Sequence, residues 1–104
     1  MKASFTVVSG PLSGRTFQIP PGEFVIGRRP DCQLAVDSPI VDRHHCMLLN
    51  DGSILTVRDL RSPSGTWVNQ ELIRENVRIL AHGDTVQVGR LIIRIDLESS
   101  TDGT

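Results

Sequence analysis

Four arginines stand on three stretches of chain rich in turn residues: Arg28 and Arg29 in residues 28–33, Arg43 in residues 39–45, and Arg61 in residues 61–66. Guanidinium groups gathered from neighbouring loops suit the planar, bidentate recognition of an oxyanion such as phosphate or carboxylate. Acids lie close by in sequence, Asp31 near Arg29, Asp42 before Arg43 and Asp59 near Arg61. The same arginines are therefore equally suited to internal ion pairs or to solvation, and composition does not separate these uses. Of the eleven Lys and Arg residues ten are Arg, which a GC-rich genome also produces. His44-His45-Cys46 offers metal-ligating types, but neighbours on an extended chain point opposite ways and no second ligand pair has suitable spacing, so no metal is expected. Cys46 heads an apolar run and reads as a small core residue. No phosphate-cradling glycine loop of the nucleotide-binding kind is present, and no cofactor is expected.

The elements that must hold these loops are strands. Phe5-Thr6-Val7-Val8 and Arg15-Thr16-Phe17-Gln18-Ile19 flank a Gly/Pro turn and read as a hairpin. Phe24-Val25-Ile26 and the short Leu34-Ala35-Val36 lie on either side of the first arginine loop. Cys46-Met47-Leu48-Leu49 and Ile54 to Asp59 flank Asn50-Asp51-Gly52-Ser53, whose Asp-Gly is a hairpin-turn signal. Trp67-Val68, Glu71-Leu72-Ile73, Val77-Arg78-Ile79, Thr85 to Val88 and Leu91 to Ile95 complete the set, the last two joined by Gly89-Arg90. No stretch of ten or more residues carries a capped 3.6-residue period. The expected fold is all-β, a sandwich of two antiparallel or mixed sheets with about ten or eleven short strands and the binding loops at one end.

A chain of 104 residues fits one domain. We expect it to occupy residues 1–97, with the polar residues 98–104 a flexible tail or the start of a linker. The formal net charge of −1 offers no bulk attraction to nucleic acid. No apolar run approaches the length of a membrane span and no signal-peptide core is seen. Two cysteines without paired spacing suit a reducing cytoplasm better than a disulfide scaffold. The expectation is a cytoplasmic, non-enzymatic protein, monomeric or weakly dimeric, belonging to a longer protein or assembly, whose partner is a protein or phosphoprotein, with no nucleic acid and no membrane insertion.

The ordered series Gly27-Arg28, Asp31 to Leu34, Val41 to Cys46, Val57 to Leu60, Ser62, Gly65 to Asn69 and Leu80 to Gly89 resembles the forkhead-associated domain, a β-sandwich module that usually binds phosphothreonine peptides. The resemblance runs from about Phe5 to Ile95. It implies that Arg28 is the principal phosphate-contacting arginine and that Arg43 also approaches the phosphate. It implies that His45 braces the loop, that Gly27, Gly65 and Gly89 permit tight turns and close backbone approach, and that Asn69 is structural. Pro63 and Ser64 fall where the family grips the peptide backbone.

The chain departs from the family pattern at two gripping positions. Asp42 stands where a serine would donate to phosphate, and an ionised carboxylate cannot donate. Losing a charge-assisted donor costs roughly 1.5–3 kcal/mol, and two unit charges about 4 Å apart add roughly 1 kcal/mol of repulsion in water and roughly 4 at an effective dielectric near 20. A combined loss of ~4 kcal/mol would move a pocket of about 1 μM to about 1 mM. Ser64 replaces an asparagine with a shorter side chain that has one donor. A carboxylate between two candidate phosphate arginines also suggests that Asp42 pairs with Arg28 or Arg43 and occupies the pocket from within. Two functions follow: phosphothreonine recognition through a weakened site, or phosphate-independent protein binding on a scaffold whose pocket, at Asp42 and Ser64, has degenerated.

Overall fold

The computed structural model describes residues 1–74 and 76–98. Eleven strands follow in order: β1 (Lys2–Val7), β2 (Thr16–Gln18), β3 (Gly22–Gly27), β4 (Leu34–Ala35), β5 (Cys46–Asn50), β6 (Leu55–Asp59), β7 (Thr66–Val68), β8 (Glu71–Ile73), β9 (Val77–Leu80), β10 (Thr85–Val88) and β11 (Leu91–Glu98). They form a six-stranded sheet ordered β2-β1-β11-β10-β7-β8 and a five-stranded sheet ordered β4-β3-β5-β6-β9. The described residues contain no helix. The strand assignment drawn from the sequence thus holds. The last strand takes in Glu98, paired with Lys2, and residues 99–104 of the expected tail lie outside the described residues.

Alternation explains which faces meet. Cys46, Leu48 and Asn50 of β5 are buried while Met47 and Leu49 turn outward, and Leu55, Val57 and Asp59 of β6 do the same opposite them. The period of two carries one face of each strand into the space between the sheets. From the other sheet come Phe5, Val7, Val86, Val88, Ile93 and Ile95. Phe5 stacks on Phe17 at 5.2 Å between ring centroids and meets the edge of Phe24 at 5.5 Å, a pairing preferred by ring quadrupoles.

Register decides where the loops go. Ile26 faces Cys46 and Cys46 faces Asp59, so β3 ends, β5 begins and β6 ends at one edge of the five-stranded sheet. Across the sandwich Val88 pairs with both Thr66 and Leu91. The loops at residues 28–33, 36–45 and 60–65 and the turn at 89–90 therefore collect at one end of the molecule. The opposite end shows one departure from expectation. The Asp51-Gly52 signal closes a four-residue loop at 51–54, with Asn50 paired to Leu55. Asp51 caps it by accepting the backbone N–H groups of Ser53 and Ile54, each at 2.8 Å, and these bonds hold its carboxyl below the usual range.

Candidate functional site

The loop 36–45 is laid against the end of β3. Arg28 N donates to Asp42 O at 2.9 Å, Arg29 N to Arg43 O at 3.2 Å and His45 N to Ile26 O at 2.9 Å. This approach requires a residue without a side chain at position 27. A Cβ on Gly27 would collide with the Arg43 carbonyl oxygen and stand 2.9 Å from His44 Cα.

His45 ties two loops together. It is completely buried. Its Nδ1 accepts the backbone N–H of Asp42 at 3.0 Å, and its Nε2 donates to Gly65 O at 2.8 Å. Both ring nitrogens are used by the neutral imidazole with its proton on Nε2. Its neighbour His44 points outward, as alternation requires, and donates to Asp31 at 3.2 Å.

The loop 60–65 stands on Asp59, whose part the sequence reading missed. Asp59 is buried. It accepts the Ser62 hydroxyl, the Ser62 backbone N–H at 3.1 Å and the Thr66 hydroxyl at 2.8 Å. The signal was available: an acid at a strand end, followed by serine three residues on, is a local side-chain-to-backbone capping pattern. Gly65 closes the loop at a φ of 78°, where a Cβ would strike Leu72.

Above this frame lies a depression of about 340 Å³ lined by Arg28, Asp42, Pro63 and Ser64, with Pro39, Ile40 and Val41 completing the wall. Four of the five expected peptide-contacting residues thus share one pocket. Arg43 is exposed on the same loop, but outside that lining. The expected internal pairing of Asp42 is not formed, because no ion pair joins Arg28, Asp42, Arg43 or Arg61 to another described residue. The reason is positional: the bonds between the Arg28 and Asp42 segments run through the backbone, which leaves both side chains to the pocket. Of the four loop arginines only Arg29 forms an ion pair among the described residues, with Asp31 at 3.8 Å and both side chains mostly exposed. Ser64 donates its hydroxyl to Ile40 O at 3.2 Å, so it joins two loops while lining the pocket.

Asn69 sits away from this pocket. Asn69 and Gln70 both have positive φ, 49° and 70°, as a two-residue turn of type I′ demands. The Asn69 side chain donates to Asp84 and accepts from Thr85 N, each at 3.0 Å, fixing the β7–β8 turn to the start of β10. Gly89 has a φ of 62° in the β10–β11 turn, and Ile40 and Val41 pack where its Cβ would stand.

One group of described residues has metal-ligand chemistry. Asp31, Cys32 and His44 bring a carboxylate oxygen, a thiol and an imidazole nitrogen within 4.8 Å of one another. Their present bonds are to each other and to the loop: Cys32 Sγ donates to Arg43 O at 3.4 Å. Burial pushes the Cys32 thiol up, with the nearby Asp31 charge adding to it. The hydrogen bond from His44 holds the Asp31 carboxyl below its usual range. Cys46, wholly buried, is pushed up to about 12 by burial and then by the Asp59 charge. Both cysteines are free thiols.

The FHA domain family matches residues 24–89, which contain the pocket and its braces. The FHA domain-containing protein FhaA of Mycobacterium tuberculosis is 36% identical over 85 residues, covering 80% of this chain and 16% of that protein. The glycogen accumulation regulator GarA of Mycolicibacterium smegmatis is 33% identical over 104 residues, covering 98% of this chain and 65% of that protein. The chain therefore spans less than two thirds of the length of either relative. A solved structure from an analysis of phosphothreonine-dependent FHA domain interactions superposes with a TM-score of 0.86 at 29% identity, covering 95% of this chain and 99% of the other.

Proposed function

The chain belongs to the forkhead-associated domain family, and from that premise we propose that it binds phosphothreonine-containing segments of partner proteins through the pocket at Arg28. The observation that carries this reading is the state of Arg28. Its backbone is fixed to Asp42, while its exposed guanidinium lines an open depression without a described ion-pair partner. A dianionic phosphate would supply the missing acceptor in bidentate form. Arg43, on the same loop, would approach the phosphate from beyond the pocket wall. Pro63 and Ser64 would meet the peptide backbone, with the Ser64 hydroxyl still able to accept a bond while it donates to Ile40.

Asp42 works against this. Its carboxylate lines the same pocket, donates nothing to phosphate and repels it. The proposed site is therefore a weak one whose strength the chain holds down at a single position. The reading is of a binding module without a catalytic step, acting in the cytoplasm as a monomer or weak dimer within a longer protein. It calls for no nucleic acid, consistent with the net charge of −1. No helix among the described residues is long and apolar enough to cross a membrane.

The test is a titration with a degenerate phosphothreonine peptide pool and its unphosphorylated twin. Phosphorylated peptides should bind the tighter. Arg28→Ala should weaken them at least about tenfold by removing a charge-assisted pair. Asp42→Ser should strengthen them by up to roughly a thousandfold, from one donor gained and one repulsion removed. Equal binding of both pools by all three proteins would discard the reading in favour of a phosphate-independent surface.

A further inference from the structure

The first two arginine loops meet a second time, through side chains. Asp31 and Cys32 of the loop after β3 and His44, just before β5, bring one carboxylate oxygen, one sulfur and one imidazole nitrogen within 4.8 Å of one another. Backbone bonds hold the segments in place: Arg29 N donates to Arg43 O at 3.2 Å and Cys32 N to Arg29 O at 3.1 Å. The run His44-His45-Cys46 offers only its first residue to such a group, because His45 is bonded at both ring nitrogens and Cys46 lies in the core. The fold supplies the other two ligand types from a different loop.

The geometry suits a small tetrahedral ion. Zinc holds sulfur at about 2.3 Å and nitrogen or oxygen at about 2.0–2.2 Å, so its ligand atoms stand roughly 3.3–3.6 Å apart. His44 Nε2 and Asp31 Oδ2 are 3.2 Å apart, close to that span already. Cys32 Sγ makes a weak S–H bond to Arg43 O at 3.4 Å, which a metal–sulfur bond would replace. Cys32 is 8% exposed, whereas the Asp31 and His44 side chains are 64% and 45% exposed. An ion there would have sulfur on its inner side and solvent on its outer side. Arg29 opposes a cation, but its Nε stands 3.8 Å from Asp31 Oδ1 and leaves Oδ2 on the His44 side.

We propose that Asp31, Cys32 and His44 form a three-ligand site for a zinc ion, with water in the fourth position. A thiolate, an imidazole and a carboxylate select zinc over calcium and magnesium, which take oxygen ligands. On binding, the Cys32 proton passes to solvent, and His44 stays neutral by carrying its proton on Nδ1 while Nε2 meets the metal. The two anionic ligands then cancel the charge of the ion. The ion ties the loop that carries Arg28 to the loop that carries Asp42, three positions along the chain from Arg28. The site stands on its own geometry and does not depend on the phosphothreonine reading.

The experiment is zinc binding to the full chain, kept reduced by a phosphine and read by competition with a chromophoric chelator. Cobalt serves as the spectroscopic probe of the same site. One zinc per chain should bind with a micromolar or tighter dissociation constant, and cobalt should show the near-ultraviolet charge-transfer band of a thiolate ligand. Cys32→Ser should abolish that band. His44→Ala and Asp31→Asn, both at exposed positions, should each weaken zinc at least about tenfold. Arg29→Gln should tighten it by removing a repelling charge. His82→Ala, at a histidine remote from the group in sequence and bonded to Leu97 N, should leave it unchanged. Failure to bind zinc in the micromolar range overturns the proposal. So does cobalt bound without the thiolate band, or zinc affinity that survives both His44→Ala and Asp31→Asn.

Discussion

Beneath the loops and on top of them, the polar side chains live in opposite conditions. Below, His45, Asp59, Ser62 and Thr66 are buried, and none leaves a buried polar atom without a partner. Above, Arg28 and Arg43 are exposed and Asp42 half-buried, without an ion pair to any described residue. A buried polar group must be bonded or it destabilises the fold by its full desolvation cost, while an exposed one costs nothing to leave to water. The two layers therefore answer to different pressures. The lower one holds the loop shapes, and the upper one can be rewritten, as at Asp42 and Ser64, without loss of the scaffold. Stability and binding should separate cleanly between them.

The most direct way to break that separation is at Asp59. Asp59→Ala removes one carboxylate that serves three donors on Ser62 and Thr66, both of which are buried. Buried donors left unmet cost about 1–3 kcal/mol each, and part of that is recovered by water entering the cavity, so the expected loss is roughly 3 kcal/mol. Urea unfolding followed by Trp67 fluorescence reads it directly. Arg28→Ala, in the upper layer, should shift the same midpoint by no more than about 0.5 kcal/mol although it removes the proposed phosphate contact. Equal losses from the two variants would mean that the layers are one network.

The lower layer was harder to read from sequence than the upper one. Arg28, Asp42 and Ser64 were placed by the resemblance to the forkhead-associated pattern, whose order of motifs runs along the chain. Arg43 was placed with them, and it is exposed on the same loop as Asp42 but outside the pocket lining. The pairing of Asp42 with an arginine was a reasonable expectation from charge alone. It fails because the two segments meet through backbone atoms, a geometry that no residue type announces. Asp59 went unread as a brace because an acid at a strand end ordinarily faces water. The period of two that buries Leu55 and Val57 carries it inward as well, and Ser62 three residues on marks the capping pattern. Asp31 and Cys32 meet His44 although Asp31 and His44 stand 13 positions apart in the chain, which spacing rules for metal ligands do not reach.

A smaller effect separates the layers in the opposite sense. Arg61, exposed in the loop above Asp59, has a φ of 60°, a left-handed conformation that a side chain makes costly by roughly 1–2 kcal/mol. Glycine relieves that strain but adds freedom to the unfolded chain. Arg61→Gly should therefore stabilise by about 0.5 kcal/mol in urea unfolding. Because Arg61 lies outside the Arg28 pocket lining, phosphopeptide affinity should stay within about twofold of the parent. A marked loss of affinity would show that Arg61 belongs with the phosphate-reading arginines and that the upper layer is wider than the pocket.

The smallest effect concerns the one acid of the upper layer that does have partners. Asp31 is bonded by His44, and that bond holds its carboxyl below the ordinary value. A group whose folded value is depressed adds stability above its unfolded pKa of about 3.9, and that contribution is lost as pH falls through the lower folded value. The group is mostly exposed, so the stability involved is screened by water and the titration itself is the better observable. Carbon NMR of the Asp31 carboxyl should give a midpoint below that of a free aspartate, and His44→Ala should bring it most of the way back, with a backbone hydrogen bond and then Arg29 accounting for the remainder. If His44→Ala left the midpoint where it was, the pair would be a contact without energetic content, and Asp31 would belong with the unpartnered charges around Arg28.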